Sequence, residues 1–150
     1  MRRHAVSVGI AAWLGVLGAI PLHAQRDASP PIPTLDEPRP RPIFPALLVP
    51  FSVPAEYCRD GRTPRITLRA FSGLTQPVAT LVLRNRAATP LEGLPLRCGA
   101  WVARWDGVLG IPPRIAPNAV YYLQLAVDTS LAGTGQRPPI LRTRKLVVAY

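Results

Sequence analysis

The chain is poor in the side chains that most enzymes use for catalysis. It has two histidines, His4 and His23, and both lie within the first 24 residues. The rest of the sequence therefore lacks the imidazole needed to activate a serine or cysteine nucleophile or to form a histidine metal site. Only 8 acidic residues are present, scattered along the chain, so carboxylate chemistry is poorly supplied as well. These absences predict a non-enzymatic protein without a metal or cofactor.

Cysteine is limited to one pair, Cys58 and Cys98. Two sulfurs without a histidine are too few for a structural zinc site. In an exported protein such a pair predicts a single disulfide. It would close a loop of about 41 residues and stabilise the fold by roughly 4 kcal/mol in the chain-entropy model. Two buried free thiols are the alternative.

Lysine occurs once, at Lys145, so arginine carries nearly all of the positive charge. The 18 basic residues exceed the 8 acids and give a net charge of +10. Such an excess suits nucleic acid, anionic lipid or acidic polysaccharide. The interleaving of aromatic and basic residues that is typical of nucleic-acid platforms is missing. For an exported chain, an anionic envelope polysaccharide or an envelope protein is the expected partner, and a merely solubilising surface is the alternative.

The N-terminal apolar run is short for a membrane span. It covers residues 5–20 after a basic start at Arg2 and Arg3, whereas a spanning helix needs roughly 20 residues. Ala24 provides a small residue at the expected cleavage position. The pattern predicts a secretory signal peptide over residues 1–24 and export to the periplasm, the cell surface or the medium, without stable membrane insertion. An uncleaved membrane anchor is the alternative.

The next segment, residues 25–52, is rich in proline. Nine of the 19 prolines fall between residues 30 and 54. Proline fixes φ and donates no backbone hydrogen bond, so we expect neither a helix nor a central strand here. An extended, semi-rigid linker is predicted. Its apolar part, residues 43–49, is expected to pack along the domain edge as an irregular first strand.

Residues 53–150 alternate between apolar and polar positions in short stretches separated by turn residues. The expected strands run over 66–71, 78–84, 94–96, 101–105, 119–128 and 141–150. Convincing amphipathic helices are absent, and about 100 residues suffice for one core. The sequence therefore predicts an all-β, Ig-like or fibronectin-III-like β-sandwich over residues 53–150.

One motif is expected to anchor that core. Trp101 and Trp105 share the apolar face of one strand, and Asp106-Gly107 follows at once. Trp105 is large enough to bridge two sheets, Asp106 can hydrogen-bond the backbone of its own turn, and Gly107 can take a positive φ. Tyr121, at the start of the next long strand, is expected to fill the core. These roles maintain the fold and imply no catalysis.

The same motif carries a family resemblance. Trp105-Asp106-Gly107, Gly110, the stretch Pro117 to Tyr121, a strand closing in Asp128 and a Val-rich last strand resemble the Ig-like domain of bacterial flagellar hook-capping proteins. That module also occurs at the C-termini of many secreted proteins. The resemblance implies a structural, scaffolding or binding role at the bacterial cell envelope. A C-terminal-type secretion or sorting β-domain, read by an export machinery, is the alternative.

Four arginines are the candidate contacts for a polyanion. Arg65 and Arg69 lie opposite in phase to the apolar residues of their strand, as do Arg84 and Arg104 in theirs. If these strands pair, their guanidinium groups face water together. That arrangement suits a polymer bearing phosphate or carboxylate groups.

Overall fold

Alternation between buried and exposed side chains organises the described chain into β-strands. A computed structural model describes residues 31–39, 46–110, 112–130 and 138–148. The predicted signal peptide lies outside these residues. The strands are β1 (Thr34–Leu35), β2 (Leu47–Val53), β3 (Arg65–Ser72), β4 (Pro77–Thr80), β5 (Val82–Leu83), β6 (Leu94–Pro95), β7 (Gly99–Trp105), β8 (Val108–Leu109), β9 (Arg114–Ile115), β10 (Ala119–Asp128) and β11 (Ile140–Val148).

These strands form two main antiparallel sheets. The first sheet has the order β1-β2-β7-β5, and the second has the order β11-β10-β3-β4, with β6 also paired to β3. A small third pair joins β8 and β9. The inward side chains of both sheets make one apolar core, so the predicted all-β sandwich is confirmed. Its largest fully buried side chains include Phe51, Leu47, Ile66, Leu68, Leu81, Leu91, Leu123, Leu125 and Leu146.

The expected strand over residues 78–84 is divided between the two sheets. β4 pairs with β3, whereas β5 pairs with β7. Leu81, which is fully buried, lies at the crossing, and its N–H donates to the Leu68 carbonyl oxygen at 3.0 Å. A single strand was therefore the wrong prediction for this stretch. The period-two pattern identified the buried side chains, but it does not specify which sheet each half joins.

The expectation of a proline-rich linker up to residue 52 is wrong for the described part of that segment. β2 is an interior strand, paired with β1 on one side and with β7 on the other. Pro50 is tolerated because its carbonyl accepts from Asp36 N–H on the β1 side. The N and O of one residue point to the same side of a strand, so the missing N–H falls on that side and the β7 ladder is intact.

Residues 33–35 are held to the second sheet by two arginines. Arg142 Nε donates to the Pro33 carbonyl at 3.2 Å, and Arg144 Nε donates to the Leu35 carbonyl at 2.8 Å. Both arginines lie in β11, the edge strand of the second sheet, while β1 is the edge strand of the first. The contacts close one lateral edge of the sandwich. The predicted domain boundary between residues 52 and 53 thus falls inside β2, and the sandwich includes β1.

The predicted Cys58–Cys98 disulfide is present, with Cα atoms 5.9 Å apart. Cys58 lies in a 3-10 turn over Ala55–Gly61 that follows β2, and Cys98 immediately precedes β7. Val53 and Gly99 are register partners at the ends of those two strands. The disulfide therefore reinforces a junction that strand pairing already brings together.

Candidate binding surfaces

The Trp105-Asp106-Gly107 turn is built by local hydrogen bonds. The Asp106 carboxylate accepts the Val108 N–H at 3.0 Å, and Trp105 Nε1 donates to the Val108 carbonyl at 3.0 Å. Gly107 has a φ of 78°, in the left-handed region that favours glycine. The Asp106 carboxylate thus caps its own turn, and the motif's contacts are structural.

Trp105 and Tyr121 connect the two sheets. Their rings meet edge to face, with centroids 5.7 Å apart and planes at 72°. Trp105 comes from β7 of the first sheet and is 3% exposed; Tyr121 comes from β10 of the second and is also 3% exposed. The Tyr121 hydroxyl donates to the Pro117 carbonyl at 3.2 Å, so its polar end is satisfied. Trp101, on the same face of β7 as Trp105, is partly buried.

The four predicted polyanion contacts do not share a surface. Arg65 and Arg69 are on β3, on the outer face of the second sheet, whereas Arg104 on β7 and Arg84, which follows β5, are on the outer face of the first. The two pairs therefore lie on opposite sides of the sandwich. The alternation in the sequence predicts that each arginine is exposed to solvent. Which arginines share one surface depends on the sheet to which each strand belongs, and the sequence does not specify that.

The two arginines on the second sheet lie close to acids. Arg69 forms an ion pair with Glu92 with an Nη2–Oε1 distance of 2.5 Å. Arg65 is the register partner of Asp128, and its Nη1 lies 3.5 Å from the Gly93 carbonyl. Two hydrogen bonds from Ser130, one from its hydroxyl and one from its N–H, lower the pKa of Asp128, and the nearby Arg65 adds to that effect. A polyanion would have to compete with these carboxylates.

The two arginines on the first sheet have a different setting. Among the described residues, neither Arg84 nor Arg104 forms an ion pair. Leu48 has Arg104 as its register partner on one side and Arg39 on the other, so Arg39 joins the same outer face. The Arg84 N–H donates to the Val102 carbonyl at 2.8 Å, so Arg84 lies beside Val102. Val102 is two positions before Arg104 on β7 and therefore shares its face. We call this set, Arg39, Arg84 and Arg104, the arginine face.

Three acids, Asp36, Glu37 and Asp106, lie at the margins of the arginine face, with Glu37 two positions before Arg39. Asp36 is at its edge, opposite Pro50, and Asp106 is beyond the end of β7 with its carboxylate bound to the Val108 N–H. Sequence reasoning missed Arg39 because that residue falls in the segment expected to be a linker. The first strand was expected over residues 43–49 at the domain edge, whereas residues 47–53 form the interior strand β2, whose Leu48 pairs with Arg39.

The outer face of the second sheet has a concave, mostly uncharged centre. Phe71, Tyr122, Gln124, Thr143 and Thr75 line a shallow cavity of about 260 Å³ there. Phe71 and Tyr122 are register partners on β3 and β10. We call these five residues the aromatic face. In the sequence, Phe71 and Tyr122 are out of phase with the buried residues of their strands, and two aromatic residues at such positions were the available signal.

No family model, no curated protein and no solved structure matches this chain. Within the described ranges, no group of three or more His, Cys, Asp or Glu side chains is placed to hold a metal ion. The same part of the chain contains no helix with the length and apolar character needed to cross a bilayer.

Proposed function

We propose that this protein is an exported, non-enzymatic β-sandwich module that binds or scaffolds at the bacterial cell envelope, with an anionic envelope polymer as its ligand. The observation that carries the proposal is the arginine face. Three guanidinium groups lie on one sheet surface, and none forms an ion pair with the described residues. Guanidinium groups can hold phosphate or carboxylate groups through paired hydrogen bonds.

The disulfide supports the exported part of this proposal. Such bonds form and persist in oxidising compartments and are rare in the cytosol. It joins two segments of a fold with a single core, for which a cross-link of this kind is a substantial fraction of the total stability. The apolar leader and the resemblance to the hook-capping Ig-like domain point in the same direction.

Two double variants test whether the arginine face binds an anionic polymer. Arg84→Ser/Arg104→Ser removes charge from the arginine face, and Arg65→Ser/Arg69→Ser removes the same charge from the opposite sheet. On an immobilised acidic envelope polysaccharide, we expect the wild type to be retained at low salt and released as salt rises, because exposed charges are screened over about 8–10 Å at physiological ionic strength. The Arg84/Arg104 variant should lose most of that retention, and the Arg65/Arg69 variant should keep it. Equal retention of both variants would contradict the proposal.

Cell fractionation with an intact-mass measurement tests export and distinguishes the sorting alternative. An envelope module is expected outside the cytoplasm, intact apart from its leader. A sorting domain would be cleaved from its cargo. Recovery of the full chain from the cytoplasm, or of a fragment without the sandwich, would contradict the proposed role.

A further inference from the structure

The aromatic face carries a second inference, independent of the arginine face. Its two rings come from neighbouring strands, because Tyr122 and Phe71 are directly opposite in the β3–β10 register. Both side chains are on the solvent side of the sheet, yet both are only partly exposed. The core does not use them, since the inward neighbours Ala70, Tyr121 and Leu123 already fill it. The outer surface therefore presents two adjacent apolar ring surfaces.

Polar groups border the rings on one side. Gln124 and Thr143 are register partners on β10 and β11, with Gln124 Nε2 3.4 Å from Thr143 Oγ1. The amide of Gln124 retains an acceptor oxygen and a second N–H, and the threonine hydroxyl can donate elsewhere. An amide and a hydroxyl beside aromatic rings can hydrogen-bond a ligand that is apolar on one face and rich in hydroxyl groups at its edge.

The lining of this cavity differs in charge from the rest of the chain, which is strongly basic. None of its five lining residues carries a carboxylate, an amine, an imidazole or a guanidinium group. The adjacent Arg69 is paired with Glu92. Tyr122 lies between Phe71 on β3 and Lys145 on β11, so Lys145 is the cationic residue directly beside the two rings. In a chain with net charge +10, the lining of this cavity thus offers no charged group of its own to a ligand.

Thr75, at the rim of the cavity, has an unusual backbone conformation. It occupies the β3–β4 turn with a φ of 61°, a conformation in which a β-branched residue is strained and glycine is favoured. Its hydroxyl donates to the Leu74 carbonyl at 2.6 Å and keeps its lone pairs for another donor. Two other described non-glycine residues, Asp60 and Ala88, also have a positive φ in turns elsewhere in the fold. Of the three, Thr75 is the one that lies at the rim of this cavity.

We propose that the aromatic face binds a neutral sugar ring of a glycan. Phe71 and Tyr122 pack against the apolar face of the ring, and Gln124, Thr143 and Thr75 hydrogen-bond its hydroxyl groups. The cavity, about 260 Å³, is slightly smaller than the range typical of drug-sized ligands, which suits one ring at a time. This inference goes beyond the proposed function, because its ligand is uncharged and its surface is the opposite face of the sandwich.

The test is titration of the full exported chain, disulfide intact, with an array of neutral oligosaccharides built from glucose, mannose, galactose or N-acetylglucosamine. We expect at least one of them to bind, with an affinity that changes less than twofold between low and high salt. Tyr122→Ala should weaken that binding by about tenfold, because it removes one of the two aromatic surfaces against which the sugar ring packs. Tyr122→Phe keeps the ring and should bind within about threefold of the wild type.

Thr75→Gly separates binding from folding. Glycine relieves the strained turn, so the variant should melt no lower than the wild type, yet it should bind the same sugar several-fold more weakly because the hydroxyl is gone. Thr80→Ala, on the same face outside the cavity, is the control and should change neither property. Binding to no member of the array overturns the proposal, and so does wild-type affinity in both Tyr122→Ala and Thr75→Gly. Uptake of an apolar peptide with no sugar bound also overturns it. Failure here leaves the salt-dependent binding by the arginine face to be judged by its own variants.

Discussion

The two outer faces of the sandwich are built by the same alternation but differ in chemistry. On the first sheet, Arg39 and Arg104 flank Leu48 and have no carboxylate partner among the described residues. On the second sheet, Arg69 is paired with Glu92, and uncharged aromatic and polar side chains occupy the centre. The proposed difference in anion binding therefore rests on the placement of a few acids, not on the number of arginines. The following changes test that contrast, from the largest expected effect to the smallest.

Both faces should be lost together when the core that connects them is damaged. Trp105→Ala removes the ring that meets Tyr121 across the sheets and should lower the free energy of unfolding by about 3–5 kcal/mol. Trp101→Ala is the matched control: Trp101 is on the same face of the same strand but is only partly buried, so its loss should cost clearly less. Thermal or urea unfolding measures both. A Trp105→Ala midpoint equal to that of the wild type would show that the two faces do not depend on this contact.

The disulfide should also stabilise the sandwich and therefore both faces, because it restricts the conformations of the unfolded chain. A Cys58→Ser/Cys98→Ser variant is expected to lose about 4 kcal/mol, the entropic contribution of closing a loop of about 41 residues. The native strand pairing at Val53 and Gly99 should persist under stabilising conditions. Mass spectrometry of a non-reduced digest provides the direct check. If both thiols of the wild type can be alkylated without reductant, the bond is absent.

The contacts between β11 and residues 33–35 should affect the arginine face alone. Arg142→Leu/Arg144→Leu keeps the aliphatic bulk but removes the hydrogen bonds to the Pro33 and Leu35 carbonyls. At about 1 kcal/mol each, these bonds hold the segment that leads to Arg39. The variant should bind an acidic polysaccharide more weakly and a neutral sugar unchanged. Equal losses of both activities would mean that the closure supports the whole sandwich rather than one face.

The smallest effect is expected at Asp128, on the second sheet. Its pKa is lowered by the hydrogen bonds from Ser130, so the ionised form stabilises the folded state. That contribution is complete above the ordinary aspartate pKa of about 3.9 and is lost as the pH falls through the lower folded value. The wild type should therefore melt slightly above Asp128→Asn at neutral pH, and the difference should vanish in strong acid. A difference that grows on acidification would contradict this assignment.

The sequence predicted the parts of this fold that depend on local pattern. The alternation of Ile66, Leu68 and Ala70 gave the buried face of β3, and residues 119–128 form β10 as expected. What it missed depends on long-range pairing. Pro50 can lie in an interior strand because the side on which its N–H is missing faces the short strand β1. The sequence does not show that β1 is the neighbouring strand, so this tolerance of proline could not be predicted.

The same limit applies to the candidate surfaces. Outward orientation of Arg69 and Arg104 could be predicted from their own strands, but their separation onto opposite sheets could not. The Glu92 partner of Arg69 is 23 residues away in the chain and reaches it only through the fold. Arg39 joined the surface because a segment expected to be a linker pairs with β2. Local periodicity thus indicates which side chains are exposed, and topology decides which of them act together.

Chemical-shift mapping on isotopically labelled protein tests the central claim, that the two faces bind different ligands. An acidic polysaccharide and a neutral oligosaccharide are titrated separately. We expect the acidic polymer to shift amide signals around Leu48, Arg84 and Arg104, with shifts that disappear at high salt. The neutral sugar should shift those around Phe71, Tyr122 and Gln124 at any salt concentration. Shifts from both ligands on one face, or from neither ligand on either face, would contradict the account.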